Sequence, residues 1–204
     1  MPPIAPLAPR VRLALASPDQ RVAIIRICTE VYAAANPTGL PATPWDLAPV
    51  LDQQSVYLIA TRAQEVLGFI GITPPTSPRY ALETYLPRDQ IPIPLDANVY
   101  ELRLLTVARA YRRSRLAALL MHAAFRWVEA HGGTWIVAVS RRDNLTLFQH
   151  VGLGPIGPVL RTDTGEYMVL GATVADMREA QRPLAPFIQR LEGMVVWDLG
   201  IPFR

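Results

Sequence analysis

Residues 99–140 constrain the fold more than any other part of this chain. VYELRLLTV (99–107) reads as a strand, and TWIVAVS (134–140) reads as a second one. Between them, residues 112–131 (RRSRLAALLMHAAFRWVEAH) carry Leu116, Leu119, Leu120, Ala123, Ala124 and Trp127 at helical spacing, which makes one apolar stripe. Arg115, His122, Arg126 and Glu129 sit mainly off that stripe, and Arg126 and Glu129 are spaced to pair with each other. Gly132 and Gly133 stop the helix. A strand, a long helix and a strand in succession define a mixed α/β domain.

The remaining segments fit around this unit. Residues 11–16 read as a short strand, and Ser17-Pro18 opens a helix whose apolar face carries Val22, Ile25, Ile27 and Val31. That helix ends near Asn36-Pro37, and a shorter helix is expected over residues 45–51. Residues 56–61 and 66–73 read as a hairpin around the RAQE turn. The next segment, 74–98, contains Pro74, Pro75, Pro78, Pro87, Pro92 and Pro94 and reads as a long insertion. After residue 140 come a helix over 144–151, strand-like stretches near Val159 and over 168–173, and a helical stretch over 176–191 interrupted by Pro183 and Pro186. The expected organisation is a loose Pro-rich arm (1–10), one domain (11–175) with the insertion 74–98, and a helical and loop extension (176–204).

Length and composition exclude several classes. A chain of 204 residues, half of them apolar, suits one globular domain with a buried core. All 20 of its Lys+Arg residues are arginine, so a lysine Schiff base, a lysine nucleophile and a P-loop lysine are excluded. Cys28 is the single cysteine, which removes intrachain disulfides and thiolate zinc clusters and fits a reducing, cytoplasmic setting. MPPIAPLAP lacks the basic start and apolar run of a secretory signal. Apolar runs such as 116–121 fall far short of the roughly 18 residues that span a bilayer. A soluble protein without stable membrane insertion is expected.

Two constellations carry chemistry. A period of two along 99–107 places Glu101, Arg103, Leu105 and Val107 on one side and Tyr100, Leu102, Leu104 and Thr106 on the other. Glu101 and Arg103 then form either a solvated edge face or structural ion pair, or a cleft in which Glu101 is a base and Arg103 orients it or a substrate carboxylate. Next, Arg109, Arg112, Arg113 and Arg115 crowd the start of the long helix around Ser114. Unpaired N–H groups and the positive dipole end already gather there, so the arginines form either a phosphate or pyrophosphate site or a solvated basic turn. Basic residues elsewhere are scattered, which argues against nucleic acid. Gly152, Gly154 and Gly157 spell G-x-G-x-x-G, but a helix precedes them, so they read as a helix stop and a turn. His122, His131 and His150 show no metal-ligand spacing.

The order strand, arginine-bearing turn, long helix, strand, short helix resembles the GNAT acyltransferase superfamily. Val107 followed by YRRSRLA (111–117) resembles its pyrophosphate loop, Q/R-x-x-G-x-G/A, with Arg112 first, Ala117 last and Arg115 in place of the first glycine. DNLTLFQHVGL resembles the family's N…Y-x-x-x-G-F segment, with Asn144, Gly152 and Leu153 in place and Phe148 where a tyrosine usually protonates the leaving thiolate. Glu101-x-Arg103, the bulky loop residue and the Pro-rich insertion look like the branch of acyl-homoserine-lactone synthases and N-acyl amino acid synthases.

The resemblance implies a mixed, mostly antiparallel sheet with helices on both faces and a splayed strand pair that holds an acyl thioester. Leu105, Thr106, Val107, Arg112, Arg113, Ser114, Arg115, Leu116, Ala117, Asn144 and Phe148 would contact the phosphopantetheine of acyl carrier protein or acyl-CoA. Glu101 and Arg103 would be catalytic, Glu101 deprotonating the incoming amine. The insertion with Tyr80 and Tyr85 would either shape a tunnel for the chain or be a surface loop. The implied activity is transfer of a long-chain fatty acyl group to an amino acid or another amine-bearing molecule, without a metal. Acetyl-CoA-dependent N-acetylation and a non-catalytic thioester-binding module are the alternatives, the second motivated by Phe148.

Overall fold

Eight strands form one sheet in the computed structural model, which describes residues 10–35, 54–93, 95, 98–162 and 165–201. The strands are β1 (Val11–Leu15), β2 (Val56–Arg62), β3 (Glu65–Thr73), β4 (Val99–Val107), β5 (Trp135–Arg141), β6 (Gly154–Thr162), β7 (Gly165–Thr173) and β8 (Val195–Asp198). Their spatial order is β6-β7-β5-β4-β3-β2-β1-β8. The pairs β4–β5 and β1–β8 are parallel and all other neighbours are antiparallel, as expected for a mixed, mostly antiparallel sheet. The expected arm (1–10, apart from Arg10) and the helix expected over 45–51 lie outside the described residues.

Among the described residues, five α-helices accompany the sheet: α1 (Arg21–Ala35), α2 (Leu116–Ala130), α3 (Leu145–Gln149), α4 (Val174–Gln181) and α5 (Ala185–Glu192). A 3-10 turn (Pro18–Gln20) precedes α1, where the Ser17 N–H donates to Gln20 Oε1 at 2.9 Å. Each residue of the α2 stripe is buried, packed on Leu58, Ile70, Leu102 and Ala138 of the strands beneath it. Arg126 and Glu129 do not pair with each other; Arg126 reaches Glu192 of α5 at 3.0 Å and Glu129 reaches Arg178 of α4 at 2.6 Å. The two later helices offer carboxylate and guanidinium partners across the packing interface, so the polar face of α2 staples the C-terminal segment down.

α4 and α5 are separated by a 3-10 turn (Arg182–Leu184) at Pro183, and the chain then returns as β8 beside β1. Leu191, Val195 and Leu199 belong to the same core as the α2 stripe. Gly152, with φ +95°, turns the chain between α3 and β6, and a side chain there would run into Met177 and Ala180 of α4. It serves as the expected helix stop, with Gly154 and Gly157 inside β6.

The other face of the sheet is covered in two halves. α1 covers β2, β3 and β4, burying Ile24, Ile27 and Cys28 against Tyr57, Ile59 and Phe69. Burial, opposed by the Arg103 charge, pushes the Cys28 thiol up to about 11. The insertion covers the rest: Tyr80, Leu82, Leu86, Ile91 and Ile93 pack on Val99, Val137 and Val169. It therefore takes the place of a helix layer over β4, β5 and β7.

The hairpin between β2 and β3 carries one backbone cost. Ala63 is exposed and sits at φ +53°, a conformation that glycine adopts without the Cβ penalty. Ala63→Gly is expected to raise stability by about 1 kcal/mol, read as a rise in Tm of roughly 2–4 °C by calorimetry.

Candidate active site

β4 and β5 pair in parallel from Val99–Trp135 to Leu102–Ala138 and part beyond that point. In the opening lies a cavity of about 360 Å³, lined by Val31, Ile70, residues 102–107, Arg112, Ala117, Val139, Ser140, Arg141, Asn144, Leu147, Phe148 and Tyr167. It runs through the sheet. Arg112, Ala117, Asn144 and Phe148 belong to the side of α2 and α3, while Val31 of α1 and Leu104 belong to the opposite face.

A β-bulge shapes the wall. Pairing between β3 and β4 slips between Phe69–Thr106 and Gly71–Arg103, and Leu104 takes φ +56°. An extra residue reverses the alternation of side chains downstream of it. Glu101 and Arg103 point to the face of α1 and the insertion, whereas Leu105 and Val107 pack with the α2 core. The uniform period of two therefore fails after Arg103, and Leu105 and Val107 do not share a face with Glu101. β4 also lies between β3 and β5, so a solvated edge is ruled out for Glu101 and Arg103.

The arginine loop differs from expectation as well. The helix begins at Leu116, not Arg112. Arg109–Tyr111 form a 3-10 turn, Arg112 is extended, and Arg113 takes the left-handed φ of +64°. Arg115, which stands for the family's first glycine, has φ −75° and ψ 4°, an ordinary backbone for any residue. The loop thus accommodates arginine at 115 and places its demanding conformation on 113. Ser114 Oγ donates to the Tyr111 carbonyl at 2.6 Å and accepts the Leu116 N–H at 3.2 Å.

Of the expected thioester contacts, Leu105, Thr106, Val107, Arg112, Ala117, Asn144 and Phe148 line the cavity, together with Arg103. Arg113, Ser114, Arg115 and Leu116 flank its mouth without lining it, and Arg115 stacks over the Phe187 ring of α5 at 5.1 Å. Phe148 is buried, and its phenyl ring forms part of the cavity wall. Sequence reasoning missed Ser140, Arg141 and Tyr167. The register Arg141↔Tyr167 between β5 and β7 brings two of them together, and only the tertiary pairing reveals it.

A second cavity, of about 470 Å³, opens beside the first on the α1 face and is lined by Gln54, Ser77, Pro78, Arg79, Tyr80, Ala81, Thr84 and Arg103. Arg103 lines both. Its stem is accommodated because Gly71 stands opposite it; a Cβ at Gly71 would approach Arg103 Cγ to 3.2 Å. Glu101 lines neither cavity and is 1% exposed. Its carboxylate accepts the N–H groups of Ala81 and Leu82 at 2.6 and 2.7 Å. Burial pushes the Glu101 carboxyl up, and the two N–H groups and Arg103 pull it back down.

Tyr85 stacks on Tyr167 with ring centroids 5.7 Å apart. Burial, Tyr167 and Glu101 push the Tyr85 phenol up and Arg103 pulls it down, so these groups form one electrostatic cluster. Tyr80 is buried and donates to the Val99 carbonyl at 2.8 Å, which fixes it as a wall of the second cavity, not of the first. Among the described residues, no group of three His, Cys, Asp or Glu side chains could hold a metal, and no helix is long and apolar enough to cross a membrane.

A mixed sheet split between two parallel strands, with an arginine-bearing helix start at one mouth of the split, is the architecture of a GNAT-like α/β domain. The chain belongs to the acetyltransferase (GNAT) family, whose profile matches residues 22–153. Its structure is similar to BjaI, a CoA-dependent acyl-homoserine lactone synthase solved with SAM and isopentyl-CoA, at TM-score 0.70 and 16% identity over 95% of each chain. It is also similar to FeeM, an N-acyl amino acid synthase from uncultured soil microbes, at TM-score 0.71 and 15% identity, over 88% of this chain and 98% of FeeM. MesI, another CoA-dependent acyl-homoserine lactone synthase, gives TM-score 0.60 and 14% identity over 85% of this chain and 94% of MesI. No curated protein matches the chain.

Proposed function

We propose that the protein transfers an acyl group from a CoA or acyl-carrier-protein thioester to the amine of a carboxylate-bearing acceptor, such as an amino acid. The observation that carries this reading is the position of Arg103, which lines the thioester cavity and the second cavity at once. Arg112 and the first-turn N–H groups of α2 beyond Leu116, whose own N–H is held by Ser114, would take phosphate at one mouth. The edge of β4 beyond Leu102, left by β5, would pair with pantetheine amides. The aliphatic walls would take the acyl chain, and Arg79 and Arg103 would take the acceptor carboxylate.

The acceptor amine must be neutral to attack the thioester carbonyl. The new C–N bond forms as the C–S bond breaks, the amine proton passes to solvent, and backbone N–H groups stabilise the oxyanion. Phe148 has no proton to give, so the thiolate leaves as the anion, which a thiol of pKa about 8.5 permits.

Thiol release from a series of acyl-CoAs and acyl-carrier-protein thioesters, against amino acids, S-adenosylmethionine and simple amines, tests the proposal. The cavity volume is near the lower end of the roughly 300–1,000 Å³ of small-molecule sites. Turnover is therefore expected to peak at short or medium chains and to fall for palmitoyl. The same modest volume favours acetyl transfer as the second reading, in which acetyl-CoA exceeds every longer donor. Absence of transfer with every pair would remove both.

Arg112→Ala combined with Arg113→Ala is expected to raise the KM for the donor by about tenfold, with the gap narrowing as salt is added. An unaltered donor KM at low salt would remove the phosphate assignment.

A further inference from the structure

Glu101 is a carboxylate without access to either cavity, and its surroundings define what it does. The two amides it accepts, those of Ala81 and Leu82, open the 3-10 turn Ala81–Thr84. N–H groups at the start of a helical turn have no partner inside it and need an acceptor from elsewhere. Here that acceptor comes from the middle of the central strand β4. Tyr80, immediately before the turn, adds a second tie through its hydroxyl to the Val99 carbonyl of the same strand.

The segment held in this way lines the second cavity and backs one wall residue of the first. Tyr80, Ala81 and Thr84 line the second cavity, and Tyr85 stacks on Tyr167, which lines the first. A base must present a lone pair to the acceptor amine, and the Glu101 oxygens are turned to backbone N–H groups beneath the fully buried Leu82.

We infer that Glu101 is a positioning residue, which fastens residues 80–85 to β4 so that the acceptor cavity forms beside the thioester, and that it does not take the amine proton. The inference rests on reading the second cavity as the acceptor site. Without the carboxylate, the Ala81 and Leu82 amides lose their acceptors and the wall loosens over Arg103. The thioester cavity, bounded by α2, α3 and the β4–β5 split, keeps its other walls.

Glu101→Gln tests this, because the carboxamide keeps one acceptor oxygen and turns an NH₂ against the other backbone N–H. Kinetics with hexanoyl-CoA and the best amino acid of the panel are compared at about pH 7 and about pH 9, since a missing base is compensated when more of the free amine is neutral. The expected result is a rise of about tenfold in acceptor KM, with donor KM within about twofold, kcat within about fivefold and no recovery at the higher pH. A fall in kcat of about a hundredfold with unchanged KM, recovered at high pH, would overturn the inference and make Glu101 the base. Hydrogen exchange gives an independent reading in the wild-type protein. Ala81 and Leu82 amides protected like those of β4 support the anchor, and amides exchanging as fast as exposed turns refute it. That measurement decides the matter even if Glu101→Gln does not fold. It also separates failure of the anchor from failure of the acceptor reading, which would show as no transfer to any amine.

Discussion

Arg103→Met is expected to lower kcat/KM for amino-acid acceptors by roughly two orders of magnitude, almost entirely through the acceptor KM. Methionine keeps an apolar stem beside Gly71 and removes the only guanidinium that lines both cavities among the described residues. Truncating one partner of a hydrogen-bonded charge pair costs about 2–5 kcal/mol, which brackets that loss. Arg103→Lys should recover only part of it, because an ammonium does not offer the planar fork that a carboxylate accepts. The informative comparison is between an amino acid and the corresponding amine without its carboxylate. The wild-type enzyme should prefer the amino acid, and Arg103→Met should erase that preference while the donor KM stays the same. If the variant discriminates between the two as well as the wild type does, the carboxylate is bound elsewhere.

The position of Arg103 between the two cavities depends on a part of the fold that sequence patterns reach only partly. The α2 stripe was legible because a long helix facing one core must repeat its apolar residues at helical spacing, and each of the six is buried. Arg112, Asn144 and Phe148 come to line one cavity because each lies beside a helix start, although α2 begins four residues later than the sequence suggests. The bulge at Leu104 was not: nothing in ELRLLTV marks which residue takes the left-handed conformation, and a single extra residue reverses every side chain beyond it. Ser140, Arg141 and Tyr167 were hidden for a different reason. They reach the cavity through the divergence of β5 from β4 and the register of β5 with β7, which are long-range pairings with no local signature. β8 escaped because VVWD is only four residues long and gains its place from β1, nearly the whole chain away.

The insertion shows how a local reading underestimates a segment. Its prolines mark it as irregular, and Ile91, Ile93, Leu82 and Leu86 are separated too unevenly for any helical or strand period. Yet each of these side chains is buried on the sheet. Proline lowers the conformational freedom lost on ordering such a segment. A loop of this kind can then serve as a core layer provided its backbone polar groups find partners, and Glu101 supplies two of them.

The largest structural effect is expected at Gly68, which pairs with Val107 beside the bulge of β4. A Cβ at this position would lie 2.7 Å from the Thr106 carbonyl oxygen, 3.2 Å from Val107 Cα and 3.3 Å from Leu120 Cδ1. The first two are backbone atoms of β4, so a rotamer change cannot relieve the contact, and Leu120 is fully buried against the sheet. Gly68→Val must therefore push β4 away from β3 at Thr106 and Val107, residues that line the cavity in the β4–β5 split. Overpacking of this kind costs about 1–3 kcal/mol and more where backbone must move, so a loss of about 3 kcal/mol is expected in denaturant unfolding. The same displacement should narrow the gap toward β5 and weaken binding of CoA, measured by calorimetry, by at least about tenfold at temperatures where the variant is still folded. Gly68→Ala should show both effects in smaller measure. Wild-type CoA affinity in a destabilised but folded Gly68→Val would mean that the strand edge at Thr106 and Val107 does not contact the donor, and the pantetheine would have to be placed elsewhere along the cavity.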